Sequence, residues 1–281
     1  MWPILSLVNV LSIAIGNLFQ KLSMKEDKSD PVASSIIFQF LLGTITLIFA
    51  LIKGYHPPPL ALFPFYLISG VLYAAGTIAY FTANKFIEAS EVSVLAGTGV
   101  IMTIVGSFLF LGDTLSPLQL LGVGLIFVAV IIVNLKRETF RLNQGSWYAL
   151  AGISSYGLAV VSDSYIIRQY DAASYLSFIC FVPGILILLL YMRRAPAMLS
   201  AMRHIDRSLI IFTFLYAIQA ISFYLALEMG ALVSQISAIA RASIILTVIL
   251  ATVFLRETKH LRRKVIAAMA TTIGVLMVTG L

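Results

Sequence analysis

The sequence predicts an all-α integral membrane protein whose ten transmembrane helices form two inverted five-helix repeats. Three observations carry that prediction. The 281 residues are 60% hydrophobic and only 11% charged, with mean hydropathy +1.00. Soluble domains carry about 25% charged residues, so this chain cannot clothe a water-facing surface of its own size. Its apolar residues fall into ten runs of spanning length, about 20 residues each. The chain also matches itself without a gap at an offset of 144 residues, as from Tyr80 to Tyr224. Each half holds five helices, an odd number, so the second enters the membrane inverted relative to the first, an arrangement that places a binding site near the midplane where the halves meet.

Residues 1-136 form the first repeat, 137-145 a linker and 146-281 the second repeat. The helices are expected near 3-20, 31-52, 63-86, 89-111, 117-135, 146-167, 174-192, 208-228, 232-255 and 262-281. Helix 1 follows Met1 almost at once with no basic stretch before it, which favours a first spanning helix over a cleaved signal peptide. Its Ser6, Asn9, Gly16 and Gln20 share one face. Helix 2 ends before the stiff Pro57-Pro58-Pro59 loop. Helix 3 carries the strongest polar stripe, Tyr66, Tyr73, Thr77, Tyr80 and Asn84, and joins helix 4 tightly through Glu88 to Glu91. Helix 5 has Gly122 and Gly124, small residues that permit close helix packing and mark it as scaffold. The polar segment Lys136 to Gly145 joins the halves.

Helix 6 carries Tyr156 and Asp163 seven apart, with Ser155 and Ser162 beside them. Helix 7 contains Pro183-Gly184, which should kink it, and Cys180, a lone cysteine inside an apolar run that reads as a small core residue. Helix 8 has Tyr216, Gln219 and Tyr224. Helix 9 has Ser234, Ser237 and Arg241 on one face. Helix 10, with Ala267, Ala268, Ala270 and Gly274, pairs with helix 5 in character. The repeat matches Ser90 with Ser234, Ser93 with Ser237, Ala96 with Ala240 and Thr103 with Thr247. It closes both copies with an acid-Thr pair, Phe110-Leu111-Gly112-Asp113-Thr114 against Phe254-Leu255-Arg256-Glu257-Thr258. Opposite Arg241 the first copy has Gly97, so only the second half carries this charge.

Polar groups against lipid are costly, so the stripes should face other helices or a water-filled cavity. Lys85, Glu88, Glu91 and Glu228 lie near helix ends, where snorkelling to water suffices. Asp163 and Arg241 lie deeper, and their depths allow an ion pair if helices 6 and 9 are adjacent. Catalytic signals are poor. Gly112-Asp113 and Tyr170-Asp171 fall at helix ends and lack the glycine of an intramembrane protease motif. His56, His204 and His260 sit in loops without a metal pattern, and no glycine loop would cradle a phosphate. No enzyme activity, cofactor or metal is expected, and the net charge of +7 sits in short loops rather than on a nucleic-acid surface.

Ten helices in two repeats resemble the EamA-like branch of the drug/metabolite transporter superfamily. Phe108 to Leu115 closing helix 4, Leu120-Leu121-Gly122-Val123-Gly124-Leu125, and the echo at Phe254 to Thr258 carry the resemblance; the acid after helix 4 is commonly glutamate there and is Asp113 here. The resemblance implies alternating access by a transporter of small organic metabolites, with a cavity lined by helices 1, 3, 4, 6, 8 and 9. The expected function is secondary transport, as an exporter or exchanger, of a metabolite such as an amino acid or related compound, in a bacterial or archaeal cell membrane. A membrane enzyme or a non-transporting interaction protein is the alternative. The expected partners are a small-molecule substrate and the lipid bilayer, with no nucleic acid; the coupling ion, a proton for example, and the oligomeric state are left open. The candidate substrate-binding residues are Asn9, Tyr73, Thr77, Tyr80, Asn84, Tyr156, Asp163, Gln219, Ser237 and Arg241.

Orientation follows from charge. Of the 19 Lys and Arg residues, loops after even-numbered helices hold only Lys53 and Arg168, and Arg241 lies within the membrane. All the others follow odd-numbered helices. The positive-inside rule puts that side in the cytoplasm and both termini outside, whereas the family resemblance implies termini inside; the size of the bias favours the count. A reporter active only in the cytoplasm, fused to the C-terminus, is therefore expected to stay silent, and a strong signal would reverse the orientation.

Overall fold

Apolar runs in hydrocarbon must satisfy their backbone groups internally, and the computed structural model describes the result for residues 2–25, 29–99, 101–102, 105, 109, 116–136, 139–140, 142–167, 169–192, 206–229 and 239–279. Among these, ten α-helices follow one another: α1 Trp2–Ser23, α2 Pro31–Lys53, α3 Phe63–Phe86, α4 Ala89–Ala96, α5 Pro117–Asn134, α6 Gln144–Ile167, α7 Ala172–Leu190, α8 Arg207–Glu228, α9 Ala242–Phe254 and α10 Leu261–Thr279. Five stretches among the described residues are long and apolar enough to cross a membrane: α1, α2, α3 with the 3₁₀ turn before it, α6 and α7. Most helices begin and end within about two residues of the positions expected from the sequence. Helices 4 and 9 are described for shorter stretches than expected, since 230–238 and most of 103–115 lie outside the described residues. The described residues are helical apart from turns and one short feature of the linker. Leu135–Lys136 and Thr139–Phe140 pair antiparallel as β1 and β2 between α5 and α6, a short hairpin in the segment read only as a polar linker.

Local chemistry starts the helices. The Asp30 carboxylate accepts from Val32 N at 2.9 Å, with Pro31 in the first turn of α2. Asn143 Oδ1 accepts from Ser146 N at 2.8 Å at the start of α6, and Asp171 accepts from Ser174 N at 2.8 Å at the start of α7. Each supplies an acceptor for a helix-end N–H that has no partner within the helix. The cap of α4 is remote. Glu257, the acid of the second acid-Thr pair, accepts from Ala89 N at 2.9 Å, Ser90 N at 3.1 Å and Ser90 Oγ at 2.5 Å. The turn that brings it there holds Arg256 at φ 56 and His260 at φ 54. The residue matched to Arg256 in the first half is Gly112, for which a left-handed backbone costs least.

The two halves interlock. α1 packs on α8, α3 on α6, α2 on α7 and α5 on α10. Exchanging the halves, α1 for α6 and so on, converts the first two pairs into each other and leaves the last two unchanged; the pairs α1 with α9 and α4 with α6 exchange in the same way. Glycines set the closest crossings, as small residues do between membrane helices. A Cβ on Gly122 would stand 2.5 Å from the Gly274 carbonyl oxygen, and one on Gly152 would stand 3.0 Å from that of Gly76. α7 runs unbroken through Pro183, where Gly184 makes room for Gln39 and Phe40 of α2. Large apolar side chains such as Leu7, Leu51, Leu121, Leu189 and Ile266 point outward, as a lipid-facing surface requires.

Two of the helix-end charges, Lys85 and Glu88, have protein partners rather than being left to snorkel. Lys264 is 2% exposed and pairs with Glu88, so both correct the expectation for Glu88. Lys85 donates to the Ser29 carbonyl at 2.7 Å. Lys21, at the end of α1, donates to the carbonyls of Asn84 and Ile87 at 2.6 and 2.7 Å, satisfying the last turn of α3. Replacing Glu257 by Ala removes the acceptor from three donors and is expected to lower stability in detergent by about 1–3 kcal/mol, read as a fall in thermal midpoint. An unchanged midpoint would show that α4 does not depend on this cap.

Candidate functional site

A cavity of about 170 Å³ lies between α1, α3, α4, α6, α8 and α9, with Phe38 of α2 closing one side. Its walls differ. Phe38, Phe81, Phe212 and Tyr216 form an aromatic cluster with ring centroids 5.0–5.9 Å apart. Tyr80 and Tyr156, whose centroids are 6.0 Å apart, line another side. Polar groups come from Ser12, Asn17 and Gln20 on α1, Ser93 on α4 and Gln219 on α8. α5 and α10 contribute no lining residue, consistent with their reading as scaffold.

Arg241 is the charged side chain in this wall. It occupies the turn just before α9, at φ −70 and ψ −18. Its matched residue, Gly97, likewise stands in a turn at the end of α4. The halves part here for a steric reason. A Cβ on Gly97 would lie 2.0 Å from Thr271 Cγ2 of α10, so α10 fills the space that the Arg241 side chain occupies in the second half. Arg241 Nε is buried with no hydrogen-bond partner among the described residues, and Tyr80 acts on the guanidinium electrostatically. The Arg241 main chain is about 20 Å along α9 from its far end, at roughly 1.5 Å per residue. A half-buried arginine in a cavity wall, with its buried Nε without a partner among the described residues, is a cation that can meet an anionic group entering there.

The ion pair between Arg241 and Asp163 is not made. Asp163 is turned toward α3 and α7, and its carboxylate accepts from Ser69 Oγ at 2.8 Å, Tyr73 Oη at 2.5 Å and Tyr175 Oη at 2.5 Å. Those hydroxyls satisfy it without a cation, and depth alone could not reveal which way it points.

Of the residues proposed from the sequence, Tyr80, Tyr156, Gln219 and Arg241 line the cavity. Four others lie inside the bundle and are held by neighbouring groups. Asn9 donates to the Gln219 carbonyl at 2.9 Å, tying α1 to α8. Thr77 receives Gln39 Nε2 at 2.8 Å and the Tyr156 hydroxyl at 3.0 Å, joining α2, α3 and α6. Tyr73 is held by Asp163, and Asn84 is 2% exposed with its amide on the Tyr80 carbonyl at 3.0 Å. Asp163, as above, also stands apart from the cavity. Ser237 lies outside the described residues. Sequence reasoning missed Asn17, which donates to Thr247 Oγ1 at 3.3 Å and lies one position from the Gly16 of the helix 1 stripe. It also missed Phe38, Phe81 and Phe212, for which apolar runs carry no signal.

An interlocked helical bundle has lipid-facing flanks and a central cavity with Arg241 in its wall, and the comparisons with known proteins support a multi-pass membrane transporter. Residues 1–135 match the EamA-like transporter family, in keeping with the resemblance to the drug/metabolite transporter superfamily. The chain is 27% identical over 135 residues, 47% of its length and 95% of the other's, to an uncharacterized transporter in the cobO 3′ region of Sinorhizobium sp. It is similar across 98% of its length, at 14% identity and a TM-score of 0.65, to 94% of the chain in a crystal structure described only as that of a protein. At that identity the likeness speaks for the fold alone.

The lining makes a direct test. In a Cys180→Ala background, Tyr80→Cys and Ala96→Cys are expected to react with N-ethylmaleimide, whereas Tyr73→Cys and Asn84→Cys stay protected. Equal reactivity at all four would mean that the α3 stripe faces water along its whole length.

Proposed function

We propose that this protein is a secondary transporter, an exporter or exchanger, of a small organic metabolite bearing an anionic group, such as an amino acid or related compound. The carrying observation is Arg241, which lines the cavity together with Tyr80 and whose buried Nε has no hydrogen-bond partner among the described residues. A planar guanidinium matches a carboxylate with two parallel hydrogen bonds. The aromatic cluster on the other wall suits an apolar body attached to it, so the substrate is amphipathic. Asn9, Thr77, Asp163 and the packed part of the α3 stripe support the walls rather than touch the substrate in this conformation.

Alternating access between two inverted repeats, 1-136 and 146-281 joined by 137-145, is the mechanism we infer. Three observations support it: the self-match at 144 residues, the exchange symmetry of the packed pairs, and a family match that stops at residue 135, where the first repeat is expected to end. The setting is a cell membrane, and the bacterial relative favours a prokaryotic one. The family match and the transporter-named relative support transport over the membrane-enzyme reading.

Counterflow in proteoliposomes loaded with a mixed metabolite pool tests this reading. Arg241→Gln is expected to keep or raise thermal stability, because an unpaired charge in the membrane interior costs about 2.5–3.5 kcal/mol on insertion scales, and to lose counterflow at least about tenfold, the worth of one charge-assisted hydrogen bond. Arg241→Lys, a point charge in place of a fork, is expected to weaken apparent affinity while retaining turnover. Full counterflow by a stable Arg241→Gln protein would leave the arginine outside the binding site.

A further inference from the structure

We infer that Asp163 is a proton-binding site that governs the cavity through Tyr73 and Tyr156. The inference deepens the transport reading and rests on it only for the purpose the coupling serves. Asp163 is 8% exposed and about one turn from the end of α6. Its carboxylate is held by the hydroxyls of Ser69 and Tyr73 from α3 and Tyr175 from α7, and Cys180 of α7 and Tyr216 of α8 are near enough to feel its charge. No basic side chain among the described residues is in this shell.

That composition matters. A salt bridge to lysine or arginine fixes a carboxylate in its ionised form. Hydroxyls do not, since each can donate to a carboxylate or accept from a carboxylic acid. The shell is therefore satisfied in both protonation states, but with different hydrogen placements. When ionised, Asp163 accepts three O–H groups. When a proton from water binds one carboxylate oxygen, the new O–H must be donated to a neighbour, and one tyrosine hydroxyl must turn its own hydrogen elsewhere. Tyr73 is the hydroxyl on Oδ2, and it leads to the cavity. Its ring centroid is 5.7 Å from that of Tyr156, which is 6.0 Å from that of Tyr80, and both of those rings line the cavity. The Tyr156 hydroxyl is anchored on Thr77, whose own hydroxyl donates to the Tyr73 main-chain carbonyl at 2.7 Å. The Tyr156 ring also lies against Gly76, where an added Cβ would be 2.8 Å from it. A change in Tyr73 cannot be absorbed by empty space there. It passes to Tyr156 and so to the cavity wall, giving two packings of one wall biased by one proton.

The test uses the full chain in liposomes and needs no substrate. The first readout is the infrared carbonyl band of a protonated carboxylic acid, followed as pH falls. The second is the rate at which N-ethylmaleimide labels the cavity through Ala96→Cys in the Cys180→Ala background, corrected for the reagent's own pH dependence with a free thiol. In the otherwise unaltered protein the band is expected to appear on acidification, and the corrected labelling rate to change about threefold or more at the same midpoint, as a shift between two populated states produces. Asp163→Asn is expected to lack the band and to label at a rate independent of pH. Tyr73→Phe is expected to keep the band and lose the pH response, which separates proton binding from its transmission. If Asp163→Asn does not reconstitute, Tyr73→Phe and a parallel Tyr175→Phe carry the comparison, since only the former lies on the route to the cavity. A labelling response that survives Asp163→Asn, or one lost equally in Tyr175→Phe and Tyr73→Phe, overturns the inference. Counterflow that fails while the pH response stands overturns the transport reading alone.

Discussion

A polar group in hydrocarbon has no water to turn to, and the rest of this structure follows from that constraint. A polar side chain in the helices is met either by its own helix backbone, as Ser35, Thr46 and Thr213 are, or by another helix. Asn9 reaches the α8 backbone, Asn17 reaches Thr247 of α9, Gln39 and Tyr156 converge on Thr77, and three hydroxyls from two helices close on Asp163. These contacts run between the halves more than within them, so they fix which helix lies beside which. Among the described residues a few buried polar atoms lack a partner, Asn9 Oδ1, Tyr66 Oη, Thr271 Oγ1 and Thr272 Oγ1 besides Arg241 Nε, and of these residues Arg241 is the one that lines the cavity. The polar residues thus sort into those that hold the bundle together and those left over for a solute, and the second set is small.

The same constraint explains how much could be read in advance. Helix number and placement follow from the length of apolar runs, which the bilayer dictates, so α3 at Phe63–Phe86 matched its expected span. The spacing of Tyr66, Tyr73, Thr77, Tyr80 and Asn84 shows that they share a face of α3. It does not show that this face meets an aromatic cluster around Tyr66, an acid at Tyr73, a threonine network and then the cavity, because those neighbours come from α6, α7 and α1. Residue type misled in both directions. Asp163 and Arg241 sit at depths that suit a pair, but their directions around the helix axes differ. Phe38, Phe81 and Phe212 look the same in sequence whether they face lipid or a cavity. Glu257 marked a repeat, and nothing local announces that it caps a helix 168 residues earlier.

The two ends of the bundle are closed by different physics. Near Lys21, Glu88, Glu257 and Lys264 the contacts are ionic or charge-assisted and fix specific partners. Near Tyr66, Tyr170, Tyr175 and Phe178 the closure is made of rings 5.1–6.2 Å apart. Ring contacts tolerate sliding, whereas an ion pair either keeps or loses its partner. The cavity lies closer to the ionic end, since Tyr80 is about 9 Å from the end of α3 at ~1.5 Å per residue. Arg241 thus stands on the far side of the cavity from the charges that tie that end.

The interlocking of α1 with α8 and of α3 with α6 has a consequence for how the chain is made. A ribosome delivers the N-terminal half first, so Asn9, Tyr73 and Thr77 enter the bilayer before α6, α7 and α8 exist to receive them. During synthesis the first five helices hold inward-pointing amides and hydroxyls against lipid or against the insertion machinery. The nascent chain completes its hydrogen bonds only when α8 arrives, and the Glu257 carboxylate that caps α4 is later still. Biogenesis of this protein is therefore a single late event rather than two successive foldings, and a ribosome stalled after the first half leaves a substrate for membrane quality control.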